Sequence, residues 1–258
     1  MTDLEAIATA LAEAYASRVP VAPLVDSYDG LTLDDAYAVQ RIQIGRRLAA
    51  SATVVGFKVG LTSEAMRQQL GVHQPDFGHL LSDMVHAADA PIPAAGYLQP
   101  RAEPEIALVL GQPLRRPGLS VSDLLAATAY ALPAIEVIDS RIANWRIGIV
   151  DTVADNASSG GFVLGQRPVP LDRFDASLAG CVFRRNGRIV ATGAGAAVLG
   201  SPLNAATWLA NELTGRGVEL AAGHVILTGS VTAAVPVGPG DAVTATFDHL
   251  GAVTALFE

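Results

Sequence analysis

The stretch Arg101-Ala102-Glu103-Pro104-Glu105-Ile106-Ala107-Leu108-Val109-Leu110 constrains this chain more than any other. Its apolar run reads as a buried strand, yet two glutamates stand at its mouth. Side chains alternate across a strand, so residues two apart share a face. Glu103 and Glu105 then project together, roughly 7 Å apart at Cα. Two like charges about 4 Å apart repel by about 4 kcal/mol at an effective dielectric near 20. Such a pair needs a cation, a shared proton or open water. A third acid, Glu136, sits in a second strand-like run, 132–138. Three carboxylates on core strands point to a hard divalent ion, because Mg²⁺ and Mn²⁺ favour oxygen ligands. Solvated strand ends, or ion pairs with Arg101 and Arg141, are the alternatives that spacing leaves open.

Charge and cysteine usage narrow the function classes. The 25 acids outnumber 17 Lys+Arg, for a formal charge of −8. With no basic run of five or more, a nucleic-acid partner is not expected. The lone Cys181 excludes an intrachain disulfide and a cysteine-based zinc cage. It lies in a predicted strand and reads as a small core residue. The start, Met1-Thr2-Asp3-Leu4-Glu5, carries acids where a signal peptide carries Lys or Arg. No apolar run approaches the length of a membrane span. A cytoplasmic, non-membrane protein is expected, and a chain half hydrophobic and only 16% charged has the means to bury a core.

Helices come early and strands late, which argues α+β. Leu4, Ile7, Ala8, Leu11, Ala14 and Tyr15 recur at helical spacing over 3–17. A connector, 19–28, follows. Thr32 and Asp35 form a capping-box pattern for a helix over 32–50, with Ala36, Val39, Ile42 and Leu48 inward. The segment 53–61 is strand-like but carries Lys58 in its middle; a lysine there must be paired or reach solvent with its head. Ser63 can cap a short helix through Leu70. Residues 71–80, rich in turn formers around Asp76, His73 and His79, read as a flap loop. Both histidines lack a His-x-x-x-His partner and are weak zinc ligands. Ser120 and Asp123 open a helix to about 131, ended by Pro133. Asn186-Gly187 is a strong hairpin signal between 180–185 and 188–192. Ser201-Pro202 caps a helix whose stripe is Leu203, Ala206, Leu209 and Leu213, with Gly215 placed to end it. Further strands are expected over 224–227, 233–237, 242–247 and 252–257.

Five motifs occur in one order: Gly56-Phe57-Lys58-Val59-Gly60-Leu61-Thr62, Gln74-Pro75-Asp76-Phe77-Gly78, Glu103-Pro104-Glu105, Pro133-Ala134-Ile135-Glu136, and Asp151-Thr152-Val153-Ala154-Asp155-Asn156-Ala157-Ser158. Together they resemble the 2-keto-4-pentenoate hydratase (2-hydroxypenta-2,4-dienoate hydratase) family of the fumarylacetoacetase superfamily, over nearly the whole chain.

The resemblance implies an α+β fold with a mixed β-roll core of the fumarylacetoacetase C-terminal type. Residues 1–52 would form an N-terminal helical region and 53–258 the catalytic domain, in one continuous unit. It implies Mg²⁺ or Mn²⁺ on Glu103, Glu105 and Glu136, with Lys58 and Asp76 catalytic. Ser158 and Thr228 are candidates for lining a small-molecule 2-oxo or 2-hydroxydienoate substrate. The implied reaction adds water to 2-hydroxypenta-2,4-dienoate in meta-cleavage degradation of aromatic compounds. A homo-oligomer, associating with other enzymes of such a pathway, is also implied. The alternatives are 2-oxo-3-hexenedioate (4-oxalocrotonate) decarboxylase, whose version the segment 229–235 resembles, a superfamily hydrolase of C–C bonds, and a non-catalytic partner subunit.

Overall fold

In a computed structural model, which describes residues 3–64, 67–68, 71–88 and 90–258, three helices precede the sheet. They are α1 (Leu4–Ser17), α2 (Leu24–Ser27) and α3 (Leu33–Ala49). Thr32 and Asp35 close the expected capping box, each side chain accepting from the other's backbone N–H. The buried face of α3 is Ala36, Tyr37, Val39, Gln40 and Ile44; Leu48 lies outside it. Gln40 is buried because its amide donates to the carbonyls of Phe77 and Val153. Later helices are α4 (Val121–Ala127), α5 (Ile149–Ala154) and α6 (Pro202–Gly215). Beyond α6 it is Gly217, not Gly215, that takes the left-handed conformation (φ 76°). The helix expected over 63–70 falls partly on residues outside the described set.

Among the described residues the strands form two sheets. The larger runs β2 (Asp76–Leu81), β1 (Val54–Gly60), β10 (Val225–Ser230), β5 (Arg101–Leu110), β6 (Thr128–Ile138), β7 (Ser159–Leu164) and β3 (Val85–His86), with β11 (Val235–Pro236) beside β5. It is mixed: β1 is parallel to β10 and antiparallel to β2. The smaller runs β4 (Pro91–Ile92), β13 (Gly251–Phe257), β12 (Ala242–Phe247), β8 (Gly180–Arg185) and β9 (Arg188–Ala194). Asn186 and Gly187, at φ 53° and 78°, make the β8–β9 hairpin, as a two-residue type I′ turn requires.

Two expectations are corrected. Residues 76–80 are strand β2, not part of a flap. Phe77, Leu80 and Leu81 are buried in it, and Gly78 serves close packing rather than a turn, since a Cβ there would overlap the Asn156 carbonyl. The helix from Ser120 stops at Ala127, and Pro133 lies inside β6 opposite Ile106. Thr128, Tyr130 and Ala131 extend the ladder with β5 instead of the helix.

Strand parity sorts the core. Ala102, Ile106 and Leu108 of β5, with Phe57, Val59 and Ile226, join the main core shared with α1 and α3. Ala107 and Val109, with Ala134 and Leu227, turn to a smaller apolar cluster on the opposite face. Glu103 and Glu105 have the parity of that second face. The acids therefore sit at one end of a face whose other end is dry.

Candidate active site

The β5–β6 register sets Glu103 directly opposite Glu136. Like charges opposed across a ladder destabilise it, and here Glu105 joins them: one oxygen from each of the three lies within 4.8 Å of the others. Glu105 and Glu136 are fully buried. Glu105 Oε1 and both Glu136 oxygens lack a hydrogen-bond partner, so the cluster is orphaned acceptor capacity of the kind buried sites avoid. In an octahedral Mg²⁺ site with bonds of about 2.1 Å, neighbouring ligand oxygens lie about 3 Å apart. Three hard, clustered carboxylates, two of them with unsatisfied oxygens, fit a divalent ion of that type.

Pro104 helps build the cluster. It brings no N–H to the ladder, and its carbonyl accepts from Val231 N–H where the β10–β5 register breaks between Leu227 and Ser230. In that break Gly229 (φ 111°) turns its N–H to Glu105 Oε2 at 2.7 Å. A Cβ on Gly229 would overlap Thr62.

Lys58 faces the acids from β1. Its Nζ lies 3.3 Å from Glu136 Oε2 and donates to the Ala157 carbonyl at 2.9 Å. The side chain is only 4% exposed, so the head does not reach solvent. Burial opposes its charge, but Glu136, Asp76, Glu103 and Glu105 outweigh burial and hold its pKa above the ordinary range. Asp76 on β2 pairs with Gly60 in register, and a Cβ on Gly60 would overlap the Asp76 carboxyl. Neither Asp76 oxygen has a hydrogen-bond partner. Burial raises its pKa, against the lowering charge of Lys58. Burial also raises Glu103 to about 7, with Lys58 opposing and Glu136 adding. Glu105 is raised well above the usual range by burial and by its two glutamate neighbours.

The carbonyl that receives Lys58 belongs to an unusual turn. Asn156, Ala157 and Ser158 take φ of 53°, 52° and 55° in succession, at about 1–2 kcal/mol each for L-residues. The Asn156 side chain clamps the turn to β2, accepting from His79 N–H (2.8 Å) and donating to its carbonyl (2.9 Å). Asp139 N–H donates to Ser158 O at 2.8 Å. The acids preceding it are clamps as well. Asp151 accepts from Leu24 and Gly148 N–H, and buried Asp155 pairs with Arg141. Arg141 thus serves Asp155 and not the glutamates.

A cavity of 490 Å³ opens beside these groups, lined in part by Lys58, Asp76, Arg101, Glu103, Thr152 and Ser158. Ser158 is in that wall, its hydroxyl 3.4 Å from Thr152 Oγ1. Thr228 is not: it has the parity of Ile226, faces the main core, and donates its hydroxyl to the Ile106 carbonyl at 2.7 Å. Ser230 lines the cavity in its stead. His79 is half-buried against Phe57 and Phe77, outside the cluster, and loss of solvent lowers its pKa to about 4. Cys181 is buried, its thiol pushed up to about 12. A larger groove, 740 Å³, runs beside β8 and β12 and has no share in the acid cluster.

Motif reading missed Gly60, Gly229 and the left-handed turn. The available signal was glycine inside a strand pattern, which marks close backbone approach.

Mixed sheet, leading helices and a buried oxygen-donor triad touched by a lysine define the molecule as an α+β protein with the donor set of a divalent-metal site. The chain belongs to the fumarylacetoacetate (FAA) hydrolase C-terminal family, which it matches over residues 53–257. It is 49% identical to 2-keto-4-pentenoate hydratase 1 of Dechloromonas aromatica, over 98% of this chain and 96% of that one. It is 45% identical to 2-keto-4-pentenoate hydratase of Paraburkholderia xenovorans, over 98% and 94%. Among solved structures it is similar to 4-oxalocrotonate decarboxylase from Pseudomonas putida G7, complexed with magnesium and adipate: TM-score 0.94, 39% identity, covering 99% of this chain and 97% of that one.

Proposed function

We propose that this chain is a metal-dependent hydratase that adds water to 2-hydroxypenta-2,4-dienoate, giving 4-hydroxy-2-oxopentanoate, in meta-cleavage degradation of aromatic compounds. The observation that carries this reading is the closed set of Glu103, Glu105 and Glu136 with Lys58 against it, in a chain similar end to end to 2-keto-4-pentenoate hydratases. The three glutamates would hold Mg²⁺ or Mn²⁺, which suit an all-oxygen donor set. Bound there, the ion supplies Lewis acidity to the carboxylate and 2-oxygen of a 2-oxo or 2-hydroxy acid.

The chain's own groups handle the protons. Lys58 keeps its ammonium charge among the carboxylates and is placed to hydrogen-bond the substrate's 2-oxygen as negative charge gathers there. Asp76, with its raised pKa, carries a movable proton. Given to C5, that proton converts the dienol to an α,β-unsaturated ketone. The carboxylate left on Asp76 then takes a proton from the water that adds at C4. The enol proton lost at O2 balances the one regained at C3, and Lys58 is the group beside O2 to relay it. Ser158, in the cavity wall, orients substrate or water.

Loss of the dienoate's ultraviolet absorbance, followed with Mg²⁺ or Mn²⁺ and again with EDTA, tests the proposal. Metal-dependent loss supports it; no turnover with either metal sinks it. One observation favours a second reading, decarboxylation of 2-oxo-3-hexenedioate: the whole-chain match to the decarboxylase structure. That reaction uses the same acids and lysine but releases CO₂. Exposed Ile189 and Val190 on β9, the edge strand of the smaller sheet, support a homo-oligomer, which sedimentation of the purified protein as a monomer contradicts.

A further inference from the structure

Arg101 opens the strand that carries the glutamates and has no part in the proton chemistry. It shares its face with Glu103 and Glu105, one pleat further out, and lines the same cavity. An arginine so close to a carboxylate cluster ordinarily closes a bidentate pair. Among the described residues Arg101 closes none: Glu136 takes Lys58 and Asp155 takes Arg141. Its buried Nε has no hydrogen-bond partner. The guanidinium is held instead over Trp145, 4.4 Å from the ring centroid.

Trp145 is positioned for this contact. Asn144 and Trp145 both take left-handed backbone conformations, φ 59° and 55°. Gln99 fixes them, its side chain accepting from Asn144 N–H at 2.9 Å and its carbonyl from the Trp145 indole N–H at 3.1 Å. The Gln99 amide in turn donates to the Ser140 and Ile142 carbonyls. A guanidinium stacked by its face keeps its in-plane N–H edge available, and that edge matches a carboxylate.

We propose that Arg101, held by Trp145, is the carboxylate receptor of this cavity: its free edge takes a carboxylate of the incoming 2-oxo acid. The inference rests on the 2-oxo acid reading above and adds the residue that recognises the acid. Two carboxyl groups, Asp76 and Glu103, line the cavity with one ammonium, and Glu105 and Glu136 are buried behind them, so an anionic substrate needs a second organic cation at the entrance. The carboxylate is either the one beside the oxo group or one at the far end of a longer substrate.

Calorimetric titration of the Mg²⁺-loaded protein with pyruvate, and with 2-oxoglutarate, separates these sources in wild type, Arg101→Met and Arg101→Lys. Arg101→Met is expected to weaken binding about tenfold or more, the loss of a hydrogen bond to a charged group, with Arg101→Lys between the two. An equal loss for both ligands places the carboxylate beside the oxo group; a loss for 2-oxoglutarate alone places it at the far end. Trp145→Leu keeps the arginine but removes its support, and must weaken the same ligand. Wild-type affinity for both ligands in a folded Arg101→Met, or in Trp145→Leu should the first variant not fold, overturns the proposal alone. A wild-type protein that binds neither 2-oxo acid overturns it together with the functional reading.

Discussion

Glu103 and Glu136 face each other across the β5–β6 ladder, a like-charge opposition that a strand pair avoids unless something else enters. Lys58 answers part of it, from 3.3 Å. The dication proposed for this site would answer the rest. Replacing Glu105 by Gln removes one ligand and one repulsion together. The metal-free variant is expected to melt no lower than wild type, to lose the Mg²⁺-induced rise in melting temperature, and to lose at least about 100-fold in metal-dependent turnover. Full activity removes Glu105 from the metal site.

Lys58→Met should cost both stability and rate. It strands buried carboxylates without their counter-ion, an effect of about 3–5 kcal/mol when one partner of a buried pair is lost. Denaturant unfolding checks this. Added Mg²⁺ should restore part of the stability but not the turnover, because the ammonium at the 2-oxygen is missing.

Protons compete with the metal. Folded, metal-free Glu103 titrates at about 7, against about 4.3 for an unfolded glutamate. The folded chain therefore holds more protons across that interval, and its stability falls as pH rises through 7. Glu105 and Asp76 act in the same direction. His79, lowered to about 4 by burial, works oppositely below about 6.5. Metal-free protein should thus gain stability from pH 8 to 6.5, while its Mg²⁺ affinity weakens over the same range as ligand carboxylates take protons. Melting curves with and without Mg²⁺ at the two pH values check both signs; parallel curves contradict them.

Gly60→Ala should leave the fold and spoil the chemistry. The new Cβ overlaps the Asp76 carboxyl, and an ångström of displacement at a reacting group costs up to about 100-fold in rate. Turnover, not the Mg²⁺ affinity, is expected to fall. Asn156→Ala, by contrast, releases the clamp on the left-handed turn and should cost about 1–3 kcal/mol through the unsatisfied His79 backbone groups, readable as a lowered melting temperature.

Glu103 and Glu105 were legible because spacing two apart on a strand forces one face. Their grouping with Glu136 and Lys58 was not: the register that opposes Glu103 to Glu136 joins segments about thirty residues apart, and no local pattern carries it. Of the motif 151–158, Asp151 and Asp155 are clamps, while the Ala157 carbonyl meets Lys58 and Ser158 lines the cavity. Turn formers concealed β2, as Pro75 and Gly78 outweighed the apolar Phe77, Leu80 and Leu81. Thr228 failed on parity: with the ladder broken near Gly229, counting along the strand did not show which face its hydroxyl takes.

On the proposed function, these acids serve with Lys58 and Asp76 in the hydration of a dienoate. The direct measurement offers 2-hydroxypenta-2,4-dienoate and 2-oxo-3-hexenedioate to the Mg²⁺-loaded enzyme side by side, with each product identified by mass. The expected result is 4-hydroxy-2-oxopentanoate from the first, heavier than its substrate by one water, and no CO₂ from the second. CO₂ from the hexenedioate, with the pentadienoate unchanged, contradicts it.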